Sequence, residues 1–239
     1  MQILEGSGVS KHFGGLAAIS NVDFHVERGE IVGLIGPNGA GKTTLFNLIS
    51  AAVPVDSGEI RFKGTRISGL KSYQVCRCGV ARTFQSVRVF PNLSVHENVI
   101  LASHFGAPGN RSAAQAAEEA LEFLEFTGLS VPRRTLAKDL TLAQQKKLEV
   151  ARALATKPEL LLLDEVIAGL NPTETSHSMD LVARIKDRGI TIMMIEHVMK
   201  AIMSICNRII VLHYGVKIAE GTPGEIANDK TVIEVYLGK

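Results

Sequence analysis

The stretch Gly36-Pro-Asn-Gly-Ala-Gly-Lys-Thr-Thr44 constrains this chain more than any other. It matches G-x-x-x-x-G-K-[ST] in full. Its glycines, at 36, 39 and 41, allow backbone conformations and a close approach that side chains would obstruct. Residues 30–36 lead in as a mostly apolar run suited to a buried parallel strand. An amphipathic segment with Leu45, Leu48 and Ile49 leads out. A strand, a glycine loop and a helix in that order let backbone N–H groups surround a phosphate chain, and the helix dipole adds to the attraction. Lys42 then reaches the β- and γ-phosphates, and the Thr43 hydroxyl is placed for Mg²⁺. The candidate nucleotide-binding residues are therefore Gly36, Pro37, Asn38, Gly39, Ala40, Gly41, Lys42, Thr43 and Thr44.

A triphosphate site of this kind requires a second, acidic element. Leu160-Leu-Leu-Leu-Asp164-Glu165 is an apolar strand ending in two acids. Consecutive strand side chains point to opposite faces, so the two acids are expected to do different work. Asp164 fits a Mg²⁺ ligand acting through water. Glu165 is then the candidate to polarise or deprotonate the attacking water. Two solvated acids at a strand end are the plain alternative for this pair taken alone. Residues 191–195 form another apolar run, ending in Glu196-His197. In a parallel sheet, ligands bind at the carboxyl ends of the strands, which places His197 to sense a γ-phosphate. A structural histidine is the alternative there; the other six histidines have no such context.

The rest of the sequence sets limits. Of the 239 residues, 46% are hydrophobic, enough to bury a sizeable core as one large domain or a core with a subdomain. A net charge of +2 with no Lys/Arg run gives no reason to expect nucleic acid. No segment approaches the ~18 apolar residues of a membrane helix, and the N-terminus lacks a signal-peptide pattern. Cys76, Cys78 and Cys206 are too few and too poorly spaced for a four-ligand zinc site, and read as reduced thiols in a cytosolic setting. Ile19, Val22, Phe24 and Val26 alternate with polar residues, predicting edge or hairpin strands. The Ala- and Glu-rich residues 112–127 predict a helix carrying Leu121, Leu124 and Phe126, with Gly128 as its stop. Asn171-Pro172 predicts a helix start, Thr222-Pro-Gly-Glu225 a capping box, and residues 208–220 a hairpin turning at Tyr214-Gly215. Alternating strands and helices argue for an α/β core.

These motifs, in this order, resemble the nucleotide-binding subunit of an ABC transporter over almost the whole chain. Phe13 is similar in position to the family's adenine-stacking aromatic, and Gln85 in Arg82-Thr-Phe-Gln85 to the glutamine joining the metal site to a helical subdomain. Leu140-Thr-Leu-Ala-Gln144 stands at the signature position, so Thr141, Ala143 and Gln144 are the implied signature contacts. Ala168-Gly-Leu-Asn171 resembles the D-loop and His197 the switch histidine. The stretches GPNGAGKTT, IAGLNPTE and IEH, with the Val-Tyr-Leu-Gly238 ending, look most like importers of branched-chain amino acids and their relatives. The ATPase of lipopolysaccharide export has a similar end.

The resemblance implies a P-loop NTPase (RecA-like) core with an N-terminal antiparallel β-subdomain and an inserted α-helical subdomain. Residues 1–89 and 151–239 would form the core, and 90–150 the helical subdomain. It implies ATP with Mg²⁺ as cofactors, with Thr43, Gln85 and Asp164 at the metal and Glu165, His197 and Gln85 in catalysis. It implies a head-to-tail dimer with a second ATPase subunit, identical or related, closing over two ATPs. It implies permease subunits docked near residues 86–94, where Phe90, Pro91 and Leu93 are apolar, and indirectly a substrate-binding protein. The location implied is peripheral, on the cytoplasmic face of the plasma membrane. Two features depart from the family pattern. In the signature, Leu142 and Ala143 replace the usual glycine or aromatic and glycine, and Val166 replaces the proline usual after the catalytic glutamate. A positive φ at 143 would weaken closure on the partner's ATP and favour a heterodimer, whereas a negative φ would make the change mild. A soluble ABC-type ATPase acting on nucleic acid or ribosomes, and a weakly hydrolysing regulatory module, are the competing readings.

Overall fold

The structure, a computed structural model, describes residues 1–107, 109 and 111–237. It opens with β1 (Gln2–Phe13), β2 (Leu16–Glu27) and β3 (Ile31–Ile35), followed by α1 (Lys42–Ile49), β4 (Ser57–Phe62) and β5 (Thr65–Arg66). Next come α2 (Ser72–Cys78), β6 (Val80–Arg82), α3 (Val95–Gly106), α4 (Ala113–Phe126) and α5 (Leu142–Ala155). The chain continues through β7 (Leu160–Asp164), α6 (Pro172–Asp187), β8 (Thr191–Ile195) and α7 (Met199–Ile205). It closes with β9 (Arg208–His213), β10 (Val216–Gly221), α8 (Pro223–Asn228) and α9 (Lys230–Leu237). Of the Val-Tyr-Leu-Gly238 ending, Gly238 lies outside the described residues.

Two sheets form. One is antiparallel, in the order β2-β1-β4-β5. The other runs β10-β9-β3-β8-β7-β6, parallel from β9 to β6, with β10 returning antiparallel as the hairpin expected at Tyr214-Gly215. The period of two along the buried strands divides the core. Leu160 and Leu162 join Phe46 and Ile49 of α1 and Val9 and Ile19 of the antiparallel sheet. Leu161 and Leu163 face the other way, into Val99, Phe123, Leu148 and Leu181 of α3 to α6. Each such side chain, fully withdrawn from water, contributes roughly 2 kcal/mol.

Helices α3, α4 and α5 pack on one another as the helical cluster expected after residue 90. Capping boxes start them at Ser94/Glu97, Ser112/Gln115 and Thr141/Gln144. In α4 the buried stripe is Ala116, Ala120, Phe123 and Leu124. Leu121, one of the apolar residues that mark this helix in the sequence, points outward and is 42% exposed, because three- and four-residue steps from Ala116 select 120, 123 and 124. Helix α5 runs through residue 150 to Ala155 and also packs against β6, so one helix ties the cluster to the main sheet. Asn171 and Thr222 cap α6 and α8 as expected, each with proline in the first turn.

Candidate functional site

The loop between β3 and α1 is held open by glycine. At Gly36 (φ 150) a Cβ would lie 2.1 Å from the Leu212 carbonyl oxygen, and at Gly41 (φ 101) 2.5 Å from the Ala18 carbonyl oxygen. Any side chain at either position would force the loop off the sheet. Neighbouring elements brace it: the Gly215 N–H donates to the Ala40 carbonyl, 3.0 Å, and the Gly215 carbonyl accepts from Ser20 N–H, 2.8 Å. Lys42 is buried and its Nζ donates to the carbonyls of Gly36 (2.7 Å) and Pro37 (3.0 Å), curling the loop around the ammonium. Burial lowers the Lys42 pKa, against the opposing charges of Glu165 and Asp164. Thr43 and Thr44 follow in the first turn of α1, half-buried. Among the described residues no side chain caps this helix and no acid stands in its first turn. Its first N–H groups therefore face the loop, as an anion requires. Asn38 and Gly39 are exposed at the loop's tip.

Asp164 ends β7 on the α1 side of the sheet. Arg82, at the end of β6, donates from Nη1 to Asn47 Oδ1 (2.7 Å) and Ser50 Oγ (3.0 Å), and from Nη2 to Asp164 Oδ2 (3.2 Å). The Asp164 N–H is taken by Thr83 Oγ1, 3.0 Å. Burial, the largest cause, raises the Asp164 pKa, while Arg82 pulls it down. The second carboxylate oxygen, Oδ1, is buried without a hydrogen-bond partner among the described residues. An orphaned acceptor there, beside a cationic loop, suits a hydrated divalent cation. The residues present fit ATP with Mg²⁺ on these two counts, the uncapped helix and the orphaned oxygen.

Asp164 and Glu165 part company, but not by the strand alternation expected from sequence. The strand stops at Asp164, and Glu165 takes a left-handed backbone, φ 53. That conformation costs a non-glycine residue about 1 kcal/mol. The turn swings the Glu165 side chain toward two partners at once. Gln85 Nε2 donates to Glu165 Oε1 at 3.0 Å, and His197 Nε2 lies 2.9 Å from the same oxygen. Residues 85, 165 and 197, far apart in sequence, thus meet on one carboxylate oxygen. Gln85 and His197 are exposed, whereas Glu165 is buried.

Phe13 sits at the end of β1, half exposed, with Lys11 Nζ 5.5 Å from its ring centre. Thr141 and Gln144 bond each other: the Thr141 N–H donates to Gln144 Oε1 (3.0 Å) and the Gln144 N–H to Thr141 Oγ1 (3.4 Å). They cap the N-terminus of α5. Ala143 lies within α5 and is absent from the residues with positive φ. The helix holds it right-handed with its N–H free in the first turn, so alanine costs little there, and the motive for a weakened signature is removed. Val166, where the family has proline, is buried behind Glu165.

Two buried residues were given no role by the sequence. Lys146 Nζ donates to the Glu165 carbonyl at 2.7 Å. Glu196 Oε1 accepts from the Ile167 N–H at 2.9 Å. Burial pushes the Glu196 pKa up from 4.5 to about 7. An acid whose folded pKa is raised contributes stability that is full below its unfolded pKa and is lost as pH rises through the folded one. From pH 5 to 8 the parent should therefore lose stability relative to Glu196→Gln, by up to roughly 3 kcal/mol. Denaturant unfolding of both at the two pH values checks this; a gap that does not move with pH contradicts it.

A family model for ABC transporters matches residues 19–168, and one for the branched-chain amino acid ATP-binding cassette transporter matches residues 216–239. The chain belongs to the ABC transporter ATP-binding family. It is thus a nucleotide-binding ATPase. The cassette is 41% identical to the high-affinity branched-chain amino acid transport ATP-binding protein BraF of Pseudomonas aeruginosa, covering 99% of this chain and 98% of that one. The ADP conformation of MJ1267, an ATP-binding cassette of an ABC transporter, superposes with a TM-score of 0.89 at 30% identity over 100% of both chains. A dimeric post-hydrolysis state of the cassette MJ0796, bound to ADP and Pi, gives 0.84 at 26% identity over 92% of this chain and 98% of that one. Among the described residues, no helix is long and apolar enough to cross a membrane.

Proposed function

We propose that this cassette hydrolyses Mg²⁺·ATP to power import of branched-chain or related amino acids, as a peripheral subunit on the cytoplasmic face of a membrane permease. The observation that carries the hydrolytic reading is the single Glu165 oxygen shared by Gln85 and His197. The cargo reading rests on the full-length likeness to BraF and on the C-terminal family match.

In this reading, backbone N–H groups of residues 36–44 hold the phosphate chain and Lys42 neutralises charge at its β/γ end. Phe13 stacks on adenine. Thr43, Asp164 and Gln85 would hold Mg²⁺, which would supply positive charge to offset that of the phosphates. Glu165 orients the attacking water and accepts its proton, and His197 keeps the γ-phosphate in line. Thr141, Ala143 and Gln144 present the α5 N-terminus to ATP held by a second ATPase subunit, the same chain or a related one. Residues 90–150 act as the helical subdomain, and a substrate-binding protein is the indirect partner. The balanced charge supports no nucleic-acid role.

A groove of about 790 Å³ supports a permease contact between α2, α3 and α5, with Phe84, Val89, Phe90 and Phe105 on its walls. Phe90 is 46% exposed, stacked under Arg152 at 4.8 Å. Asn98 pins the loop behind it, accepting from the Phe90 N–H and donating to the Phe90 and Leu93 carbonyls. Pro91 and Leu93 do not line the groove, so Phe90 is the residue to test. Phe90→Glu should leave the isolated cassette's ATPase activity unchanged while abolishing co-purification with the permease subunits. Reconstituted with them and a binding protein, the parent should drive ATP-dependent uptake of labelled leucine, isoleucine or valine. Uptake of none of these overturns the cargo, and normal assembly of Phe90→Glu overturns the groove.

A further inference from the structure

The turn that follows β7 is tethered by more than the Glu165 side chain. Its backbone is fastened at three points. The Glu165 N–H donates to the Ile195 carbonyl at 2.9 Å, in the neighbouring strand. The Glu165 carbonyl accepts from Lys146 Nζ at 2.7 Å, and the Ile167 N–H donates to Glu196 Oε1 at 2.9 Å. Lys146 is 8% exposed and Glu196 3%. Burying an ammonium is costly, and burial lowers the Lys146 pKa even among Glu196, Glu149 and Glu165. Space-filling alone does not explain a lysine there, because a methionine would fill the same space without that cost. What the lysine adds is a charged donor on one particular carbonyl, that of a non-glycine residue held left-handed.

The placement of that donor matters. Lys146 belongs to α5, two residues beyond Gln144, near the helix N-terminus that carries Thr141 and Ala143. The bond therefore joins that helix to the backbone of the carboxylate that meets Gln85 and His197. A shift of α5 by about an ångström would break a 2.7 Å contact. Glu165 would then lose its hold on the left-handed turn.

We propose that Lys146 is a positioning residue for ATP hydrolysis: through the Glu165 carbonyl it locks the turn that aims the Glu165 carboxylate, and so makes that aim depend on where α5 sits. This rests on the reading of Glu165 as the hydrolytic base. Glu196 completes the bracket from the other side of the turn by holding the Ile167 N–H. Lys146 does not touch the reacting atoms, so nucleotide binding is independent of it.

The test compares Lys146→Met, which keeps length and loses the donor, with Lys146→Arg, which keeps a charged donor. Lys146→Met should lower kcat at least tenfold with KM for ATP within about twofold, and Lys146→Arg should recover much of kcat. Hydrogen exchange on the nucleotide-free chain gives a readout separate from turnover. Peptides spanning 165–168 should exchange several-fold faster in Lys146→Met, while those within β7 do not change. Because Lys146→Met strands the Glu196 charge and could destabilise the fold, the double variant Lys146→Met/Glu196→Gln removes both charges; its kcat should fall as far as that of Lys146→Met. Parent kcat in Lys146→Met or in the double variant, or a Lys146→Arg no better than Lys146→Met, overturns the proposal. If Glu165→Gln is inactive while Lys146→Met keeps parent kcat, this proposal alone fails. If Glu165→Gln hydrolyses at the parent rate, it is the base assignment that fails.

Discussion

Glu165→Gln should bind ATP with parent affinity and hydrolyse it at least about a hundredfold more slowly, the usual worth of a positioned general base. The amide is nearly isosteric with the carboxylate, and its oxygen can still accept from Gln85 Nε2 and His197 Nε2, at 3.0 Å and 2.9 Å in the parent. The left-handed turn at 165 is unaffected, because its tethers are backbone groups: the N–H to Ile195 and the carbonyl to Lys146. What the amide lacks is a basic oxygen able to take the water's proton. The loss should therefore fall on kcat, with KM nearly constant. A second consequence follows from the proposed closure of two ATPase subunits over two nucleotides. If hydrolysis is what releases the subunits, the variant should accumulate as a dimer when ATP is added. Light scattering would read this as a doubling of mass with ATP and none with ADP. Hydrolysis by Glu165→Gln at the parent rate would remove Glu165 from the role of base.

How the site could be read from sequence depends on which physics fixed each residue. The phosphate loop was legible because its requirements are local. Glycine is demanded at 36 and 41 by carbonyls 2.1 Å and 2.5 Å from where a Cβ would stand, and no other residue type meets that demand. The parallel sheet was legible in kind, from buried apolar runs of five residues separated by helices. The separate roles of Asp164 and Glu165 were expected from strand alternation, yet the separation comes from a backbone reversal at 165 that alternation does not contain. That reversal is stabilised from α5 and from the end of β8, residues remote in sequence. Lys146 shows why such partners escape notice. Steps of four and seven lead from it to the buried Val150 and Ala153, which would mark it as inward-facing. The same steps lead from Lys147 to the buried Ala151 and Leu154, yet Lys147 is only half-buried and reaches the Gly128 carbonyl at 3.1 Å. Helical period could not choose between two adjacent lysines; the position of one carbonyl did. Ala143 is the converse case. Its departure from the family glycine left two outcomes open, set by the sign of φ, until the helix around it fixed a right-handed backbone.

Lys42→Ala should raise the dissociation constant for ATP by roughly 10- to 100-fold, equivalent to the ~1.5–3 kcal/mol of a hydrogen bond to a charged group. The ammonium is held by the Gly36 and Pro37 carbonyls, at 2.7 Å and 3.0 Å. Two of its three donors are thus used to shape the loop, and the third is available to a phosphate oxygen. Removing it has two effects of one sign. The β/γ-phosphates lose a cation in a site where burial has already made charge expensive. The carbonyls of Gly36 and Pro37 lose their shared donor, so the loop no longer closes around a fixed centre. Some affinity should survive, because the uncapped amides of α1 and the glycine-lined backbone are untouched. That residue separates the variant from an unfolded one: ATP at concentrations above the new dissociation constant should still raise its melting temperature. Fluorescent-nucleotide titration at constant salt gives the comparison, since screening alters any phosphate contact. Unchanged affinity in Lys42→Ala would mean that the loop between β3 and α1 holds something other than the triphosphate end of ATP.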